Sequence, residues 1–222
     1  MNLKKYLLGV VATGVAAMAW SAGAAANLVT NGSFEELNGN AALSGVYYEQ
    51  LAPGSLRISG WTVSGASGKS LDIVREGTGA STLDWAQAGV QAIDLAGNPG
   101  PAELSQSINT SNGQQYLVSF WTSSNGTAKT DALSVYWNNI LKVDKLDTTA
   151  QGTWVKTEFT VLATGASMSL MFAGLLNGSA GALLDNVIVT AVPLPPAAIL
   201  FGSVLFGFAV VARKRNRNAL AA

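Results

Sequence analysis

The feature that most constrains this chain is an apolar repeat of two rather than 3.6, carried by short runs throughout residues 27–191. Within 115–122, Tyr116, Val118 and Phe120 alternate with Leu117, Ser119 and Trp121. Within 153–162, Val155, Thr157, Phe159 and Val161 alternate with Trp154, Lys156, Glu158 and Thr160. Successive side chains of a strand point to opposite faces, so each run reads as a half-buried β-strand. Further runs are 58–63, 71–75, 90–95, 102–109, 132–138, 167–173 and 183–190, each bounded by turn-forming clusters such as Gly97-Asn98-Pro99-Gly100, Ser124-Asn125-Gly126 and Asn177-Gly178-Ser179. No amphipathic helix interrupts them, and no internal repeat is visible. Many short strands with Gly-rich turns predict an all-β, antiparallel β-sandwich, for which a jelly roll is the commonest closed solution at this size.

Two missing residue types narrow the chemistry. Without cysteine there are no disulfides, no thiol catalysis and no thiolate metal ligands, so the core of this domain must hold itself. Without histidine there is no Ser-His-Asp triad, no HExxH zinc site and no imidazole base. Residues 27–191 hold all 13 acidic residues but only seven of the 13 basic ones, a net charge of −6. That excludes a nucleic-acid partner, which needs a basic patch, and it attracts cations.

Both ends argue for export. Lys4 and Lys5 precede an apolar stretch, 6–19, and then Ala22-Gly23-Ala24-Ala25-Ala26, the pattern of a signal peptide over residues 1–26 cleaved after Ala24 or Ala26. At the far end Val192-Pro193-Leu194-Pro195-Pro196 leads into an uncharged apolar run, 197–212, followed by Arg213, Lys214, Arg215 and Arg217. Its 16 residues, at about 1.5 Å each, give a transmembrane helix of roughly 24 Å against a hydrocarbon core of about 30 Å, a gap that snorkelling basic side chains close. Cations stay cytoplasmic, which puts the body on the far side of the inner membrane.

The terminal segment, with Val192, Pro193, Leu194 and Pro195 followed by AAILFGS and a basic tail over 213–217, resembles the PEP-CTERM sorting signals of exported Gram-negative proteins. Pro193-Leu194-Pro195 stands where Pro-Glu-Pro is usual. The resemblance implies that residues 192–222 tether the precursor to the inner membrane, that an exosortase cuts near Pro193, and that the mature form reaches the cell surface or the extracellular matrix. Within the body, NLVTNGSFEE (27–36), GWTV (60–63), VQAIDLAG (90–97), LSQSINTSNGQQYLVSFW (104–121) and GALLDNVIVT (181–190) resemble the galactose-binding-like domains of choice-of-anchor surface proteins, most nearly the choice-of-anchor C type. The likeness spans nearly the whole body and departs from the pattern between Glu76 and Ala86. Sugar binding follows from it by analogy only.

In such jelly rolls the Glu after the first strand and an Asp in the last commonly hold a structural calcium ion, which assigns Glu35 and Asp185 as the expected metal ligands. Calcium takes hard oxygens in irregular geometry, so two carboxylates with turn carbonyls suffice. The competing reading is that Glu35 caps a turn and Asp185 turns to local backbone donors.

Flat aromatic faces stack on sugar rings. Trp61 reads as core, and Trp121 and Trp137 occupy alternating positions that face either the core or a sheet surface. Trp85, in a Gly/Ser-rich loop beside Asp84, is expected as an exposed platform. Trp85, Asp84 and Trp137 are therefore the expected ligand contacts, and Trp85→Ala is expected to weaken binding without altering the melt. Asp131, Asp144 and Asp147 near Trp137 offer polar contacts or merely solvated charges.

The expected function is that of a non-enzymatic exported surface or matrix protein binding extracellular polysaccharide. The alternatives are a secreted carbohydrate-active hydrolase and a purely structural biofilm component. A hydrolase needs two carboxylates facing a cleft, about 5–5.5 Å apart for retention or 6.5–9.5 Å for inversion. Thirteen acidic residues offer many pairs, and the sequence singles out none.

Overall fold

The structure, a computed structural model, describes residues 25–39, 47–76, 85–126 and 131–193. The expected signal peptide up to Ala24, the apolar run 197–212, the basic tail, Asp84, Leu194 and Pro195 lie outside the described residues. No helix among the described residues is long and apolar enough to cross a membrane.

The described residues form eleven strands: β1 (Tyr48–Leu51), β2 (Thr62–Ser64), β3 (Leu71–Arg75), β4 (Gln91–Asp94), β5 (Glu103–Asn109), β6 (Gln115–Ser124), β7 (Ala132–Trp137), β8 (Ile140–Asp147), β9 (Val155–Leu162), β10 (Ser167–Gly174) and β11 (Ala182–Ala191). They build a six-stranded sheet, β1-β3-β4-β11-β6-β9, and a five-stranded sheet, β2-β5-β10-β7-β8. Every pairing between them is antiparallel. Each alternating run of the sequence is a strand, the first shortened to β2.

Two strands escape the alternation. In β8 the register against β7 slips by one between Leu133↔Leu146 and Val135↔Val143, and Lys145 takes a positive φ of 44°. This bulge puts both Val143 and Leu146, three residues apart, against the core. β1 buries only Leu51, so it has no inward stripe to read.

One core fills the space between the inner faces, with Trp61, Trp137, Phe34, Phe120 and Phe172 its largest fully buried side chains. Phe120 and Phe172, from opposite sheets, meet edge to face at 5.1 Å. A second, smaller cluster lies on the outer face of the six-stranded sheet, where Trp85 packs on Val74, Ala92 and Leu183 with Trp154 against them. The alternation assigns it there: Ile73, Ile93 and Leu184, the sequence neighbours of Val74, Ala92 and Leu183, belong to the main core.

Residues 28–32 lie against the last strand, β11. Leu28 N–H donates to the Val189 carbonyl and Val187 N–H to that of Gly32, both at 2.8 Å. β11 can serve this partner and β6 together because its register shifts between Asp185 and Ile188, with Asn186 at a φ of 49°.

Candidate functional site

The expected calcium pair is found close together, and its oxygens are already in use. Asp185 Oδ2 accepts from the N–H groups of Gln87 and Ala88 at 2.7 and 2.8 Å, and its Oδ1 from Asn186 N–H at 2.5 Å. Glu35 Oε1 accepts from Val90 and Gln91 N–H, each at 2.8 Å. Glu35 Oε2 has only a 3.4 Å contact from Gln91 Nε2. Both carboxylates thus pin the 87–91 segment, and a Cβ at Gly89 would lie 2.3 Å from Glu35 Oε1. N–H donors aim their positive ends where a cation would sit, so Glu35 and Asp185 as arranged do not fit a calcium shell of six to eight oxygens. Among the described residues no group of three or more His, Cys, Asp or Glu side chains gathers to hold a metal.

Burial pushes the Asp185 carboxyl up to about 7, against the pull of its three N–H bonds and with the help of the Glu35 charge. Burial likewise raises Asp94 to about 7 and Asp72 to about 6. A carboxyl that holds its proton more tightly when folded favours the fold most below its unfolded pKa, and that advantage is lost as pH rises through the folded pKa. In chelator, the melting temperature is therefore expected to rise as pH falls from about 7.5 to about 5. A flat or falling profile in that window would contradict it.

The tryptophans correct the expected ligand surface. Trp85 is no exposed platform: it is 6% exposed and forms the centre of the outer cluster, because the loop carrying it folds back onto Val74, Ala92 and Leu183. The exposed aromatics beside it are Tyr47, stacked on Trp85 at 6.4 Å, and Tyr48. Trp137 is 1% exposed and faces the core, its Nε1–H donating to the Leu162 carbonyl. Trp61 is core, as expected, and Trp121 is half-buried. Asp131 is buried and accepts from Ser124 Oγ; Asp144 and Asp147 are exposed on β8.

What the sequence missed is Tyr136. Its neighbours Val135 and Trp137 point into the core, so strand parity turns Tyr136 to the outer face of the five-stranded sheet. Register builds a row across all five strands there: Thr62, Ser105, Met171, Tyr136 and Leu141. Ser107 faces Ser169 in the next row, and Ser107 and Ser167 share a 2.6 Å hydroxyl contact. The charge on β2, β5 and β10 is confined to Glu103, which accepts from Ser64 Oγ at 3.0 Å. Hydroxyls that both donate and accept, around one half-exposed ring, suit a neutral polyhydroxylated ligand.

A carboxylate pair does exist elsewhere, but it does not face a cleft. Asp72 and Asp94 are register partners on β3 and β4, 8% and 0% exposed. Asp94 Oδ1 accepts from Ala96 and Gly181 N–H at 2.9 and 3.0 Å, and Oδ2 from Asn125 Nδ2. Such a carboxyl is shut off from any substrate.

Two antiparallel sheets over one core, with residues 28–32 hydrogen-bonded to β11, define an all-β sandwich of jelly-roll type. The chain belongs to the family DUF642, described as a protein of unknown function, whose model matches residues 27–190. A solved structure described as TmCBM61 in complex with β-1,4-galactotriose is similar at a TM-score of 0.53 and 17% identity, over 75% of this chain and 99% of that one. A family 16 carbohydrate-binding module aligns at 18% identity over 74% and 99% of the two chains, TM-score 0.48. An arabinose-bound GH51 α-L-arabinofuranosidase aligns at 11% identity over 75% of this chain and 26% of its own, TM-score 0.47. The comparison with curated proteins gave no match.

Proposed function

We propose that residues 27–191 form a non-enzymatic glycan-binding module of an exported surface or matrix protein, and that its ligand is a neutral polysaccharide. The observation that carries this reading is the outer face of the five-stranded sheet, with its hydroxyl-rich surface around Tyr136. The architecture shared with a module crystallised on β-1,4-galactotriose supports it. β2, β5 and β10 carry one carboxylate and no cation, while the exposed lysines of this sheet, Lys142 and Lys145, sit on its edge strand β8. Export rests on the signal-like and sorting-like ends, which make exosortase and the inner membrane the partners during processing. The enclosure of Asp94 disfavours the hydrolase alternative.

The test is affinity electrophoresis of the full-length protein in gels containing β-1,4-galactan or neutral polymer from the native matrix. Retardation is expected on neutral polymers and not on polyuronates. Tyr136→Ala should weaken it several-fold, since stacking on one ring is worth about 1 kcal/mol, and should leave the melt nearly unchanged. Loss of retardation in Tyr47→Ala but not Tyr136→Ala would move the site to the other sheet, and new reducing ends on long incubation would establish an enzyme.

A further inference from the structure

The two sheets end in β1, β9, β2 and β8, and three of these edges are built against further pairing. β1 and β2, with 4 and 3 residues, offer too short a ladder, and β8 is broken by its bulge at Lys145. β9 differs. It runs for 8 residues, and its register against β6 continues without a shift from Val155 to Leu162. Among the described residues no strand pairs with its other side. A long, regular, unpaired edge is a template for another strand.

The groups this edge presents follow from one bond. Ala163 N–H donates to the Gln114 carbonyl at 3.0 Å, one step beyond the Gln115↔Leu162 pair and in the same register. Bonded pairs alternate along an antiparallel ladder, so Val155, Thr157, Phe159 and Val161 direct their N–H and C=O groups to β6, while Lys156, Glu158 and Thr160 turn theirs outward. Leu162 is already engaged, its carbonyl accepting from Trp137 Nε1. Phe159 packs against the core, so strand parity puts Val155, 43% exposed, on the inner side with it. Lys156 and Glu158 stand on the outer face as an exposed ion pair.

This pattern is complementary to itself. In a two-fold antiparallel pairing, outward-turned residues meet outward-turned residues. Centred on Lys156 or on Glu158, the pairing would set like charges face to face, which destabilises it. Centred on Phe159, it would need the occupied Leu162 opposite Lys156. Centred on Thr157, it sets Lys156 opposite Glu158 of the second copy and Glu158 opposite Lys156 of the second copy, each pair exchanging both backbone bonds. The same register brings Val155 against Phe159 of the second copy and covers its exposed side chain. A lysine on an edge strand normally blocks pairing; here a glutamate two positions on answers it.

We propose that two copies of this chain pair through β9 about a two-fold axis at Thr157, joining their six-stranded sheets into one. The pairing does not rest on glycan binding, so its failure would leave the proposed function standing.

The full-length protein, kept in neutral detergent because of its apolar run 197–212, is followed by sedimentation velocity without polysaccharide. A dimer that grows with protein concentration up to about 0.5 mM is expected in the parent. Lys156→Glu and Glu158→Lys each turn both cross-strand pairs from attraction to repulsion, and each should weaken the dimer about 10-fold or more while leaving the fold intact by circular dichroism. Mixed in equal amounts, the two variants should associate with each other, because every facing pair is then opposite in charge. The double exchange, Lys156→Glu with Glu158→Lys, should restore the parent's dimer. A parent that stays monomeric throughout would overturn the proposal, as would a dimer that both single variants retain, or single variants that lose it and do not recover on mixing.

Discussion

Replacing Trp85 by alanine is expected to lower the melting temperature by roughly 10 °C, the reverse of what an exposed sugar platform would do. Trp85 is 6% exposed and packs on Val74, Ala92 and Leu183, so the substitution empties the middle of the outer cluster. A buried Trp→Ala change costs about 3–5 kcal/mol, and each kcal/mol moves the melt of a domain this size by about 2–4 °C. Tyr47 loses its stacking partner as well, which loosens the aromatic rim at the same stroke. Trp85→Phe should recover part of the loss, since most of the cost is cavity and lost apolar contact. Circular dichroism melts check this directly. An unchanged melt together with lost polysaccharide retention would restore the platform reading and sink this one.

A loss of similar size is expected for Asp185→Ala. The carboxylate accepts from the N–H groups of Gln87, Ala88 and Asn186, and Asp185 itself is fully buried. Removing it leaves three donors without partners, at about 1–3 kcal/mol for each that stays dry. Local relaxation and water entry reduce the sum, and about 4 kcal/mol is the expected total. Asp185→Asn should cost nearly as much, because its NH2 group would face N–H donors. The signature is local as well as global: amides of the 87–91 segment should lose hydrogen-exchange protection before those of β6 and β11 do. A variant that melts like the parent with those amides still protected would show that the clamp is dispensable.

The strands were legible because burial on one face imposes alternation, and alternation survives in sequence: Tyr116, Val118 and Phe120 against Leu117, Ser119 and Trp121 need no structure to be read. β8 was not legible because a bulge at Lys145 restores Leu146 to the inner face three residues after Val143 and so erases the period. The tryptophans show the second limit. Alternation in β7 separates Tyr136 from Trp137 but is symmetric between faces, so it cannot say which of them meets the core. The sequence reading turned the wrong one outward.

The structure brings Glu35 and Asp185 to the same segment, yet what surrounds them was not written locally. Their partners are backbone N–H groups of Gln87, Ala88, Val90 and Gln91, which every residue but proline carries and which therefore leave no mark in a sequence. The Asp72 and Asp94 pair, 22 positions apart in the chain, becomes a pair only through the β3 and β4 register.

The sequence by itself determined the fold class, the exclusion of histidine and cysteine chemistry and the acidic charge, since these depend on composition and on nearest-neighbour periodicity. Which face of each strand is buried, which ring meets solvent and which carboxylates stand opposite one another were decided by the tertiary structure alone. Those properties belong to pairs of strands, and pairing energy is set by side chains distant in the chain.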